Sequence, residues 1–299
     1  MLHWARSRIV DSVSGMFAHA GMPLSRTGDF PGDPGLCGPG SVSWRVIGDV
    51  SVFVGGIRAL LIQAAHPEVV AGVDDHSRYR DDPLGRLSRT SFYVTSATYG
   101  AMPEVVEAVE LVKAAHQGVS GTSHRGRSYS ASAPELAAWV HNTLTDSFLE
   151  AYQRFGGRLS AAEADRFVAE QARAGEMLGA SPLPATAAEL RAWIGAHPAL
   201  APSPGMRAAI RFLQRPPIST AQRAGYQVLM NGAITTIPRR LSAVLGLAAP
   251  PGARAAAAAM TLGLRRVMMN SPAWQAALER CGAPYDPRLF RDKRNGATA

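Results

Sequence analysis

The segment ELVKAAHQGVSG, residues 110–121, holds the chain's most suggestive donor. Val105, Val109 and Val112 recur at helical spacing and His116 continues the stripe, so its imidazole is expected on the buried face of a helix. Glu104, Glu107 and Glu110 occupy another face, the one that would meet water. A buried imidazole without a partner forfeits hydrogen bonds, so it needs either a polar neighbour such as a backbone carbonyl or a metal. Both readings stand. Gly118 and Gly121 leave room beside the ring for something broad, which favours the ligand. His141, in AAWVHNTL, poses the same question beside Ala137, Leu144 and Phe148: a second ligand, a group that orients the first, or a satisfied core residue. His66 and His76, in QAAHPEVVAGVDDHS, read as helix-terminal caps rather than catalysts.

A second constellation lies in RDDPLGRLSRTSFYV, residues 80–94. Arg86, Arg89 and Thr90 fall at i, i+3 and i+4, with Tyr93 a turn further, so all four share one helical face. Paired to Asp81 or Asp82, such a face is merely solvated. Lining a pocket, two guanidiniums and a hydroxyl hold carboxylates, polarise dioxygen or stabilise developing negative charge. Several other chemistries are excluded. Met16, Gln63, Val73, Lys113, Gly121, Ala138 and Ile194 stand three residues before histidines and none is a carboxylate, which removes the Glu-x-x-His dimetal bundle. HExxH, G-x-S-x-G, the P-loop and the dinucleotide fingerprint are all missing.

The elements that must position these groups are helices, because helical spacing dominates and two-residue alternation is scarce. The pattern predicts helices over residues 2–19, 41–65, 84–99, 103–117, 133–155, 160–178, 187–196, 204–213, 219–231, 237–247, 253–269 and 272–281. TGDFPGDPGLCGPGS, residues 27–41, packs five glycines and three prolines into a stretch that is neither helix nor strand. Ser160 and Glu163 have capping-box spacing. Pro-rich turns over 179–204 suggest a division into an N-terminal arm, 1–29, a chemical core, 30–178, and a C-terminal helical half, 179–299. The last residues, RDKRNGATA, are polar and read as frayed.

At 299 residues, 46% hydrophobic and 18% charged, the chain reads as globular and able to bury a full core. Its net charge of +8 and pI of about 10.1 permit acidic partners, but the cations are scattered rather than blocked. With neither zinc-finger spacing nor a basic-aromatic RNA motif, no nucleic-acid partner is expected. Cys37 and Cys281 lie far apart without ligand spacing, which points to a reducing, cytoplasmic setting. The N-terminus lacks an apolar signal core, and the most apolar run, VIGDVSVFVGGIRALLIQAA, is interrupted by Asp49 and Arg58, so neither export nor a transmembrane span is expected.

The ordered set GDPGLCGPGSVSWRVIGD, GGIRALLIQAAHP, VAGVDDHSRYRDDPLGRLSRT, AAHQGVSG and AAWVHNTL resembles a family of helical haem oxygenases. That family includes the rubber-cleaving latex-clearing protein and the fungal MpaB-type oxygenase, which share the domain once catalogued as DUF2236. The likeness covers about residues 30–160; the C-terminal half is similar only in being helical. It implies an all-α, globin-reminiscent bundle around haem b, with His116 as proximal iron ligand; His141 stays a further cofactor-binding candidate on its own position alone. The family's distal arginine, lysine and threonine fall on Arg86, Arg89 and Thr90. Arg89 replaces the lysine of the rubber-cleaving members, and a guanidinium ligates iron poorly, so an open sixth position is implied and the rubber substrate is not.

The expectation is therefore an oxygenase or peroxygenase that uses dioxygen or peroxide on a small hydrophobic substrate, with alkenes among the candidates. Arg86 and Arg89 would stabilise charge on oxygen, or one would anchor a haem propionate, and Thr90 would hold a water or donate to bound oxygen. A non-catalytic haem or lipid carrier is the alternative. A third reading rests on Trp4, Ile9, Val13 and Phe17, whose near-helical spacing beside the positive charge suits peripheral membrane contact.

Overall fold

Prolines and capping side chains mark where helices start. Pro67, Pro83, Pro134, Pro204 and Pro272 each sit in a first helical turn, where a missing N–H costs nothing. Ser160, Thr186 and Ser219 close full capping boxes with Glu163, Glu189 and Gln222. The computed structural model describes residues 24–77, 80–268 and 271–284. Among these are α1 (Val42–Ile47), α2 (Val52–Gln63), α3 (Pro67–His76), α4 (Pro83–Tyr99) and α5 (Met102–His116). A hairpin of β1 (Ser120–Thr122) and β2 (Ser128–Ser130) follows, then α6 (Pro134–Ala151), α7 (Ala161–Met177) and α8 (Ala187–Ala196). The series closes with α9 (Pro204–Gln214), α10 (Thr220–Ile234), α11 (Arg239–Leu245), α12 (Ala253–Met268) and α13 (Pro272–Arg280). The all-α expectation holds. No described helix is long and apolar enough to cross a membrane.

The helix expected over 41–65 is two. Asp49 leaves the helical path between α1 and α2, and its buried carboxylate takes a two-pronged ion pair from Arg265, with both N–O distances 2.9 Å. Helix α3 and the hairpin were not anticipated. The predicted helix over 2–19, the Trp4, Ile9, Val13 and Phe17 stripe and the RDKRNGATA tail lie outside the described residues.

Two compact units emerge, each drawn from separate stretches of sequence. In the first, residues 1–50, 78–115 and 263–299, the Gly-rich loop is fixed from below. Arg280 donates to the carbonyls of Asp33 and Tyr99, each at 2.8 Å, and Asp33 accepts from the N–H groups of Gly35 and Met102. Gly35 has a φ of +64°, and a Cβ there would stand 1.9 Å from the Gly100 carbonyl oxygen, so no other residue fits.

In the second unit, residues 51–77 and 116–262, α2 lies along α6. Gly55 permits the approach, since a Cβ there would meet the Phe148 ring at 2.7 Å. Arg58 on α2 reaches Asp146 at 2.7 Å and the Ser147 hydroxyl at 2.8 Å on α6. Val54, Ala151, Phe155, Ala233 and Ala257 form an apolar cluster that brings α10 onto this pair. The hairpin is pinned to α3 by Tyr129, whose hydroxyl donates to Asp75, and by His76, whose Nε2 lies 3.0 Å from the Ser120 carbonyl.

Candidate functional site

His116 is the last residue of α5. Val105 and Val109 are buried and Val112 is half-buried, but the stripe then surfaces and His116 is exposed, contrary to the burial expected from its spacing. The physical reason is that α5 packs along its first turns only; Leu111, Lys113, Ala114 and Ala115 are exposed as well. Leu111 is 55% exposed, unusual for a leucine in a helix. Partial desolvation nevertheless holds the His116 pKa below the ordinary histidine value, which keeps the ring neutral at pH 7. Its imidazole makes no hydrogen bond or ion pair among the described residues. Gly118, at φ +77°, turns the chain away immediately after it, and nothing lies within 4 Å of where its Cβ would be.

The other described histidines are spoken for or fully solvated. His141 on α6 is buried, its Nε2 lies 3.5 Å from the Thr145 hydroxyl, and it hydrogen-bonds the Gln171 backbone. Burial lowers its pKa to about 4, against the opposing pull of that bond. Gly175 makes the space: a Cβ there would sit 2.9 Å from the His141 ring and 2.8 Å from Leu183. Gly175→Ala is therefore expected to cost about 1–3 kcal/mol in denaturant unfolding, the usual penalty of overpacking. His124 is exposed on the hairpin turn.

His66 belongs to a buried polar cluster that sequence spacing did not reveal, because its members lie far apart in the chain. Glu68 accepts from the Ser123 hydroxyl at 2.8 Å and from Arg125 through both Nε and Nη2. Burial would raise the Glu68 pKa, but the bonds from Arg125 and Ser123 outweigh it and hold it at about 2. His66 Nδ1 is 3.5 Å from Glu68, yet burial and the neighbouring His197 push its pKa down to about 4. It is thus neutral at pH 7, and the contact is no ion pair. His197 lies against the His66, Trp139 and Trp193 rings, with centroids 4.8–5.3 Å away. The sequence reading of His66 and His76 as caps is met only in position: each stands at an end of α3, and His66 makes no capping bond.

A pH dependence follows from the two buried neutral histidines. Their folded pKa values, about 4, lie below the unfolded value of 6.5, so the stabilisation is complete above pH 6.5 and drains away as pH falls toward 4. Each contributes a slope of at most about 1.4 kcal/mol per pH unit. Denaturation midpoints measured from pH 7.5 to 4.5 should fall steadily through this window, and a flat profile would contradict the assignment.

On α4, Arg86 is half-buried and engaged in a polar interaction. Arg89 is exposed and 3.6 Å from Asp82, and the Thr90 hydroxyl donates to the Arg86 carbonyl at 3.1 Å. The expected common face is present. A turn further along it, the Tyr93 hydroxyl is buried with no hydrogen-bond partner, and burial raises its pKa above the usual range, so it remains a donor at any physiological pH. No group of three or more His, Cys, Asp or Glu residues poised for a metal ion occurs among the described residues. A group that supplies its own metal and takes one axial imidazole fits the donors present: a neutral, unpartnered ring at a helix end beside exposed apolar residues.

No curated protein and no solved structure matches the chain. A family model does, over residues 44–269, and its description is the catalytic domain of the ER-bound oxygenase mpaB/B′ and rubber oxygenase. With most of its length matched, the chain belongs to this family of oxygenase catalytic domains.

Proposed function

We propose that the protein is a haem b-dependent oxygenase or peroxygenase, that His116 is the proximal iron ligand, and that the substrate is a small hydrophobic molecule. One observation carries this reading beyond family membership: among the described histidines, only His116 combines partial desolvation with the lack of any hydrogen bond, ion pair or ring contact, whereas His66, whose buried Nδ1 is also unbonded, is packed against the Trp139 and His197 rings. Haem, when bound, supplies the redox chemistry toward dioxygen or peroxide. His116 supplies a neutral nitrogen at working pH, and the exposed Leu111, Ala114 and Ala115 on the same helix end offer apolar surface to a macrocycle. The guanidiniums of Arg86 and Arg89 would favour negative charge on the oxidant or on a propionate. Thr90, whose hydroxyl donates to the Arg86 carbonyl, retains a lone pair with which it would orient a water. His141, whose ring already bonds the Gln171 backbone and has its Nε2 3.5 Å from the Thr145 hydroxyl, acts by fixing α6 to α7 rather than as a second ligand.

Arginine at position 89, whose guanidinium would be a poor iron donor, would leave the holding of the iron to His116 and supports a substrate other than rubber. Cys37 and Cys281 form no disulfide among the described residues, which suits a reducing compartment such as the cytoplasm. The test is an absorption spectrum with iron analysis of the protein as purified and after haem addition, followed by oxygen and peroxide consumption over a panel of alkenes. A Soret band with stoichiometric iron is expected. Protein that neither contains nor takes up haem would overturn the reading, and haem-loaded protein that consumes neither oxidant would reduce it to a carrier.

A further inference from the structure

The cations are scattered along the chain, but the carboxylates are not. Between Glu189 and Glu279 the sequence has no aspartate or glutamate, whereas ten arginines fall there. The remainder carries 21 basic and 23 acidic residues, so the whole positive surplus belongs to this segment. Helix α9 buries Met206 and Ile210 and exposes Arg207 and Arg211; Arg215, at its C-cap, continues the same four-residue stripe. Helix α11 packs on α9 and opens with exposed Arg239 and Arg240. Helix α10 is tied to the end of α9 by Tyr226, which donates to the Leu213 carbonyl at 2.7 Å, and Gln227, which donates to that of Gln214 at 2.6 Å. Exposed Arg223 lies one turn before them, which brings it to the same end.

None of these six arginines forms an ion pair among the described residues. Arg240 and Arg223 donate only to the carbonyls of Gly195 and Ile218. Some exposed arginines elsewhere find carboxylates, as Arg26 does at Asp29, Arg166 at Glu170 and Arg191 at Glu150, and those that do not, such as Arg127 and Arg158, are not grouped on adjoining helices. Uncompensated like charges repel one another and weaken the fold, so their grouping points outward, to an anionic partner. Half-buried Phe212, Leu213 and Ile218 lie among them, an interleaving of guanidinium and apolar carbon that suits the headgroup region of a bilayer.

We propose that the arginine face of α9, α10 and α11 docks the protein on an anionic lipid surface. The attraction itself follows from the charge alone. The choice of lipid over another polyanion also rests on the apolar substrate of the proposed function, since such a substrate accumulates in bilayers. Sedimentation of the full chain with phosphatidylcholine vesicles, with and without phosphatidylglycerol, tests it. Binding is expected only to the anionic vesicles and should weaken as salt rises. The triple variant Arg207→Glu, Arg211→Glu, Arg215→Glu should lose on the order of 100-fold in partitioning, because each basic residue near an anionic surface contributes about fivefold. The same reversal at Arg26, Arg127 and Arg166 should change it far less. Equal binding to neutral vesicles, indifference to the first triple variant, or tighter retention on double-stranded DNA or polyglutamate at matched salt would overturn the proposal. A Soret spectrum of the same samples reports the cofactor reading separately, so either can fail alone.

Discussion

His116→Ala is expected to abolish the Soret band of the purified protein while leaving the unfolding curve of the haem-free protein within about 0.5 kcal/mol of the haem-free parent, as for other exposed substitutions. The two halves of that result belong together. An exposed imidazole with no hydrogen-bond partner contributes almost nothing to the fold, so removing it should be silent in denaturant. If it holds the haem iron, as proposed, it would contribute heavily to cofactor affinity. Loss of a group that merely orients a metal ligand costs 10–100-fold in affinity, and loss of the ligand itself should exceed about 100-fold. His141→Ala should behave in the opposite way. Its ring is buried against Gly175 and Leu183 and bonded to the Gln171 backbone, so truncation leaves a cavity and an unpaired polar group, costing about 2–4 kcal/mol, while the folded protein keeps its haem spectrum. Haem titration followed by Soret absorbance, alongside urea denaturation of both variants, separates the assignments. An unchanged spectrum in His116→Ala would transfer the ligand role elsewhere.

The sequence pattern made the helices of this chain legible because their signals are local. Capping boxes at Ser160, Thr186 and Ser219 and first-turn prolines act within one turn, and the apolar stripes recur within a few turns. What it could not convey was how far a stripe stays covered. The spacing from Val105 to His116 is that of a buried face, but α5 outruns its packing partners, and nothing in periodicity records where the neighbouring surface stops. The Glu68 cluster was hidden for a related reason. Ser123 and Arg125 lie 55 and 57 residues from Glu68, and only the α3–hairpin packing joins them. The charges inside the most apolar run were visible, and no described helix drawn from that run is long and apolar enough to cross a membrane. Their positive role was not visible, because Asp49 finds its partner 216 residues away and Arg58 finds its own 88–89 residues away.

Arg58 yields the largest expected stability effect. The guanidinium is 1% exposed and the Asp146 carboxylate 4%, and they meet where α2 and α6 lie together. Arg58→Met keeps the length and apolar stem of the side chain but leaves the Asp146 carboxylate buried without its counter-charge. Breaking such a pair from one side costs about 3–5 kcal/mol, a large share of the 5–15 kcal/mol that holds a typical domain together. The pair is not itself an efficient stabiliser. Arg58 Nε and Asp146 Oδ1 are both buried without hydrogen-bond partners, so each ion was desolvated for incomplete repayment. Removing both charges, in Arg58→Met with Asp146→Leu, should therefore recover most of the loss and come within about 1–2 kcal/mol of the parent. A double-mutant cycle in urea measures this directly, with a coupling energy of roughly 2–4 kcal/mol expected because the two residues touch. Equal and additive losses from the two single variants would mean that the charges act independently. In that case α2 and α6 would be aligned by Gly55 and the apolar contacts alone, and the pair would have no part in setting their register.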